Sequence, residues 1–135
     1  RAFGVQCIVG SIEAQRTGEN KWEAFTDNGR EHTGLDAVDW AKKLESLGAG
    51  ELLVTSVDQE GTERGYDVDL VAAIAPEVRI PVIASGGAGN PEHVVSVIRE
   101  GHADAVSCAH IFHYNKHSIG EVKKALKKEG ISVRL

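Results

Sequence analysis

The chain is poor in the features that assign a small protein most quickly. Its 135 residues include only two cysteines, too few for the disulfide framework of a small secreted domain, and Cys7 and Cys108 fit no zinc spacing. Each lies in an apolar run, so both are expected to be reduced, buried thiols. No apolar stretch approaches the roughly 20 residues a bilayer span requires. The segment Arg1 to Cys7 lacks a basic stretch leading into a signal-type apolar block. A cytoplasmic protein without membrane contact is the expectation. A basic surplus is missing too. Fifteen Lys and Arg against 20 Asp and Glu leave a net charge of −5, and the cations are scattered rather than striped, which argues against nucleic acid as a partner. The densest cluster, Lys123, Lys124, Lys127 and Lys128, fits the solvated face and last turn of a helix. Six histidines are present, yet no two form a helical pair enclosing an acid, so neither a metal nor another cofactor is expected. The chain starts at Arg1 already entering an apolar run, which points to a fragment, a processed chain or an engineered one.

What the sequence does have is a repeat of strand and helix signals. Val5 to Ile12, Glu51 to Val57, Ile80 to Ala84 and Ala103 to Cys108 are continuous apolar, β-branched runs, the pattern of parallel strands buried on both faces. A helical pattern follows each. Asp36 to Leu47 puts Ala37, Trp40, Ala41, Leu44 and Leu47 on one stripe and stops at Gly48. Asp67 to Ala75 stops before Pro76. Asn90 as N-cap and Pro91 at the first helical position open a helix to Arg99, and Ser118 with Glu121 forms a capping-box pattern before a last helix. Residues 18–34 form an insert that reads as a small hairpin turning at Asn28-Gly29.

Four strand-helix units imply a parallel sheet with right-handed crossovers, as an open doubly wound sheet or as half of a barrel. A complete (βα)₈ barrel takes about 250 residues. The fold expected here is one α/β domain over residues 1–135, half of a TIM (βα)₈ barrel. Alone, it would leave the inner strand edges Val5 to Ile12 and Ala103 to Cys108 unpaired, so completion by self-association is expected.

Three stretches can carry chemistry. Ser85-Gly86-Gly87-Ala88-Gly89, between a strand and the helix at Asn90, reads as a phosphate cradle, with Gly86 and Gly87 letting backbone N–H groups approach an anion. Ala109-His110 at the next strand end would be its second wall, since barrel phosphates often sit between the last two such loops. Thr55 to Thr62 crowds hydroxyls and carboxylates, Asp58 and Glu60 among them, at the C-terminal end of a strand, where turn formation is their alternative role. Glu13 ends the apolar run Cys7 to Ile12 and can exchange protons with a substrate.

Gly48-Ala49-Gly50-Glu51-Leu52-Leu53-Val54-Thr55-Ser56, Asp58 through Gly65-Tyr66-Asp67, Ile83 to Gly89 and the closing Gly130 to Leu135 resemble the C-terminal half of the cyclase subunit of imidazole glycerol phosphate synthase. The resemblance covers essentially the whole chain. A related isomerase of histidine biosynthesis shares the half-barrel design, but Gly65-Tyr66-Asp67 and the Ala-Gly end of the glycine loop are more similar to the cyclase. The resemblance implies a full barrel in which ammonia from a glutaminase partner attacks a phosphoribulosyl-formimino aminoimidazole carboxamide ribonucleotide. Imidazole glycerol phosphate and an aminoimidazole carboxamide ribonucleotide would leave. It further implies that Glu13 is one of two acid-base carboxylates and that Thr55 and Ser85 line the substrate pocket. Glu60, Gly61, Gly87, Ala109 and His110 would surround one of two phosphates, and Glu51 would belong to a charged ring at the ammonia entrance. The family has Asp where this chain has Glu13 and Glu60, and Ser where it has His110. Two functions therefore stand side by side. One is an enzyme half that works only with a complementary half. The other is a catalytically inactive, self-associating half-barrel that binds phosphate alone.

Overall fold

The structure, a computed structural model, describes residues 4–134; Arg1 and Leu135 lie outside the described residues. A single 3-10 turn, Val5–Cys7, closed by the Cys7 N–H on the Gly4 carbonyl, leads into strand β1, Val9–Gly18. Strands β2, Lys21–Thr26, and β3, Glu31–Asp36, follow as an antiparallel hairpin. The rest alternates: α1 Ala37–Leu47, β4 Glu51–Ser56, α2 Val68–Ile74, β5 Val82–Ser85, α3 Pro91–Arg99, β6 Ala105–Ser107, α4 His110–His113 and α5 Ile119–Lys128. Among the described residues no helix is long and apolar enough to cross a membrane.

The strands lie in the order β3-β2-β1-β4-β5-β6, with β1, β4, β5 and β6 parallel and β2 antiparallel to β1. The parallel strands sit beside one another in chain order. A doubly wound sheet would reverse that order at a switch point. The helices form one layer, α1 against α2, α2 against α3 and α3 against α5. A parallel sheet in sequential order with helices on one side is a partial βα barrel.

That single layer divides the strand residues. Ile12, Ala14, Leu52, Val54, Val82 and Ala84 are buried beneath the helices. Each large one contributes about 1.5–3 kcal/mol by leaving water. Their neighbours Val9, Ser11, Leu53, Thr55, Ile83 and Ser85 are partly or fully exposed on the other face. The expectation of strands buried on both faces is thus corrected: burial alternates, because among the described residues nothing covers the second face.

The helix ends follow local chemistry. The Asp36 carboxylate accepts from the Asp39 N–H at the start of α1, and Gly48 ends that helix at φ 105°. Asp67, Asn90 and Ser118 cap α2, α3 and α5 in the same way, and Glu121 completes a capping box with Ser118. Helix α2 stops at Ile74, and a 3-10 turn at Ala75–Glu77 accommodates Pro76.

Three further expectations change. The first strand does not span Val5 to Ile12. It begins at Val9 and runs to Gly18, continuing beyond its pairing with β4, which ends at Ala14, by pairing with β2, Glu13 opposite Phe25 and Arg16 opposite Trp22. The hairpin therefore pairs with the part of β1 beyond Ile12, and among the described residues Val9 to Ile12 pair with β4 alone. Cys7, expected to be buried, is exposed in the turn before β1, while Cys108 is partly buried. Finally, Ala109-His110 is the opening of the short helix α4, beyond a last strand of only three residues.

Candidate functional site

The ladder β1-β4-β5-β6 carries the site. Glu13 pairs with Thr55, Thr55 with Ser85 and Ser85 with Ser107. In-register neighbours in a sheet share a face, so these four form one row on the open side, near the C-terminal ends of the parallel strands. Ser11, Leu53, Ile83 and Ala105 form the row below. Glu51 pairs with Val9 at the opposite end of the strands. Among the residues singled out from sequence, the structure therefore aligns Glu13, Thr55 and Ser85 and sets Glu51 apart.

Above the row a cleft of about 270 Å³ lies between the loops after β4, β5 and β6, lined by Glu60, Gly61, Glu63, Ser85, Gly86, Gly87, Ala88, Ser107, Cys108, Ala109 and His110. The predicted phosphate-site residues Glu60, Gly61, Gly86, Gly87, Ala109 and His110 all meet here, with Ser85 at the floor. Glu13 and Thr55 share the row without lining this cleft. Among the described residues, the backbone N–H groups of Gly87, Ala88 and Ala109 donate to no other group. Unpaired donors at a cleft wall suit an anion. The Gly89 N–H is committed to His93 Nδ1 at 3.1 Å.

The glycines have a reason of their own. A Cβ on Gly87, at φ 103°, would lie 2.0 Å from the Gly65 carbonyl oxygen, and one on Gly89 would lie 2.2 Å from the Glu63 carbonyl oxygen. Only glycine lets the two loops touch, and the Gly65 N–H donates to the Gly87 carbonyl at 2.8 Å. Close packing against the loop after β4 therefore requires these glycines before any ligand does.

The loop after β4 is pinned elsewhere. Tyr66 is buried, and its hydroxyl donates to the Ser107 carbonyl at 3.2 Å. Burial holds that phenol well above its ordinary titration range. Burial likewise pushes up the Cys108 thiol, against the opposing effect of the Tyr66 hydroxyl, so Cys108 meets the cleft as a neutral wall. Asp67, almost fully buried, accepts from the Leu70 N–H at 3.0 Å, Trp22 Nε1 at 2.9 Å and Arg16 at 3.0 Å. It joins the hairpin, β1 and α2 at one carboxylate. Asp58, considered a candidate acid, accepts from the Arg16 N–H at 2.7 Å and is thus engaged in holding a turn.

Two contacts at the site were not visible in sequence. The Gly29 N–H, at the hairpin turn, donates to Glu13 Oε2 at 2.9 Å, with the turn resting on Val57. Glu63 accepts from both His110 Nε2 and Lys116 Nζ. The Lys116 hydrogen bond, and after it the His110 contacts, hold the Glu63 carboxyl below the usual carboxylate range, with partial burial opposing. The three residue pairs in these contacts are 16, 47 and 53 residues apart in the chain, and no periodicity or spacing signals them.

A family model described as histidine biosynthesis protein matches residues 1–118. The chain belongs to that family. The match takes in the hairpin, every strand, the cleft, and the helices as far as α4; α5 lies beyond it. In βα barrels chemistry belongs at the C-terminal ends of the parallel strands, the end at which this row and cleft lie.

Proposed function

We propose that this chain is the phosphate-binding C-terminal half-barrel of an imidazole glycerol phosphate synthase cyclase, completed by a second half-barrel over its open face. The observation that carries this reading is the row Glu13, Thr55, Ser85 and Ser107 running into the glycine-lined cleft. One end of a phosphorylated substrate would rest on the free N–H groups of Gly87, Ala88 and Ala109. Its reacting part would then extend along the row toward Glu13. Glu13 would move protons as ammonia adds and the ring closes. One of its oxygens is held by the Gly29 N–H, which fixes the carboxylate's direction. Ammonia would come from a glutaminase partner at the Glu51 end of the strands, and a cytoplasmic location accompanies that role. Leu53 and Ile83 on the open face favour closure by a second apolar sheet, a complementary half or a second copy of this chain in a homodimer.

A catalytically silent, phosphate-binding half-barrel is favoured by one observation, that His110 is already bonded to Glu63. Ammonia-dependent turnover separates the two. The parent chain is expected at or below detection, since the carboxylate is one methylene longer than the family's and placement on the order of 1 Å matters in proton transfer. Glu13→Asp, Glu60→Asp and His110→Ser together are expected to give measurable turnover. A folded triple variant that gains nothing either as a homodimer or assembled with a complementary half-barrel would overturn the cyclase reading and leave the silent one.

A further inference from the structure

Glu63 closes the cleft with both its backbone and its side chain. It stands in the left-handed region at φ 58°, between Gly61 at 74° and Gly65 at 115°. A non-glycine residue in that region is held there by its surroundings. Its carbonyl oxygen packs against Gly89, and its side chain crosses from the loop after β4 to His110 on α4 and Lys116 just beyond. The His110 ring, tilted against Tyr114 with centroids 4.6 Å apart, is the basic side chain among the cleft-lining residues. Lys116 is the ammonium the same carboxylate draws to the rim. Glu60 adds a second carboxylate to the lining. An incoming phosphate would thus meet open N–H groups and two side-chain carboxylates, with the nearest side-chain donors already engaged.

We infer that the Glu63 carboxylate is a built-in competitor for the cleft's anion: it occupies His110 and Lys116 until a phosphate group displaces it, and so sets which ligands the site accepts. The inference rests on the phosphate site proposed above. A weak monoanion would not dislodge a carboxylate held by two donors. A phosphate monoester has more charge and more acceptor oxygens, can satisfy the N–H groups of Gly87 and Ala88 together with His110 and Lys116, and releases Glu63 to water. The site then discriminates by exchange of one anion for another rather than by filling an empty hole.

The test titrates inorganic phosphate into the parent chain, Glu63→Gln and Lys116→Gln at fixed ionic strength. Calorimetry gives affinity, and the amide chemical shifts of Gly86, Gly87 and Ala88 locate binding. Competition predicts opposite signs: about tenfold tighter binding for Glu63→Gln, which frees both donors, and about threefold weaker binding for Lys116→Gln, which removes a cation and keeps the carboxylate. If Glu63 merely tied two loops together, both variants would cut the same tie and move affinity in the same direction. Binding with cleft shifts in the parent and no tightening in Glu63→Gln would overturn the competitor and leave the phosphate site standing. Absence of cleft shifts in all three at millimolar phosphate would overturn both.

Discussion

Leu52 and Leu53 are adjacent in β4 and identical in side chain, yet Leu52 has no exposed surface and Leu53 keeps part of its own. The same contrast runs through β1 and β5. Ile12, Val82 and Ala84 lie under the helices, whereas Ser11, Ile83 and Ser85 face the open side. The covered face is a finished interior, apolar and close-packed. The open face mixes Leu53 and Ile83 with the aligned Glu13, Thr55 and Ser85, so it combines material for a core with material for chemistry. Proteins rarely leave such a surface to water, and barrels solve the problem by closing on themselves.

The largest way to test that contrast is to truncate each leucine. Leu52→Ala should cost about 3–5 kcal/mol, from lost transfer energy and a cavity the helices cannot fill. Leu53→Ala should cost under about 1 kcal/mol in a dispersed chain. If a second copy closes over the open face, the Leu53→Ala cost should rise with protein concentration, and light scattering should report a dimer in the parent. A folded monomer at micromolar concentration, with Leu53→Ala harmless throughout, would break the proposed closure.

A middle-sized effect concerns the seam between the hairpin and the covered side. Asp67→Ala removes the α2 cap, leaves the Trp22 indole N–H without its partner and leaves the Arg16 side chain with Asp69 alone. About 2–3 kcal/mol should be lost, read by denaturant unfolding, with Trp22 fluorescence shifting as water reaches the ring. A cost confined to the few tenths expected of surface changes would mean the hairpin docks independently of α2.

The smallest effect lies in the hairpin. Glu23 accepts from His32 Nδ1 at 2.7 Å and from the Gly34 N–H at 2.8 Å, and its carboxyl is held below the usual range chiefly by the His32 hydrogen bond. A carboxylate whose folded value is depressed stabilises the fold above its unfolded value, near 4.3, and loses that contribution as pH falls through the lowered folded one. The difference in melting temperature between the parent and Glu23→Gln should therefore be small at neutral pH and vanish in acid. A difference that grows in acid would contradict the assignment.

Elements governed by neighbours a few residues away could be read in advance. Asn90 with Pro91, Ser118 with Glu121, and Gly48 after Leu47 mark helix ends through local hydrogen bonds and backbone freedom, and each stands where that chemistry puts it. Strand β1 could not be bounded this way, because its extension to Gly18 depends on β2. Cys7 looked buried because apolar neighbours surround it in sequence, whereas a turn places it in water. Glu60, Gly61, Gly86, Gly87, Ala109 and His110 were singled out from motif and resemblance, and the loops gather them in one cleft. Glu63 and Lys116 were not found, nor was the bond from the turn glycine Gly29 to Glu13, because each contact joins segments distant in the chain.

The amino-acid sequence by itself determined the succession of strands and helices, the helix caps and the position of the glycine loop, all consequences of short-range sterics and hydrogen bonding. Tertiary structure decided the rest. Which face of β4 is covered follows from all the helices crossing to one side. That Glu13, Thr55 and Ser85 form a row follows from the strand register. That Glu63 holds His110 and Lys116 follows from two loops meeting where only Gly87 and Gly89 let their backbones touch.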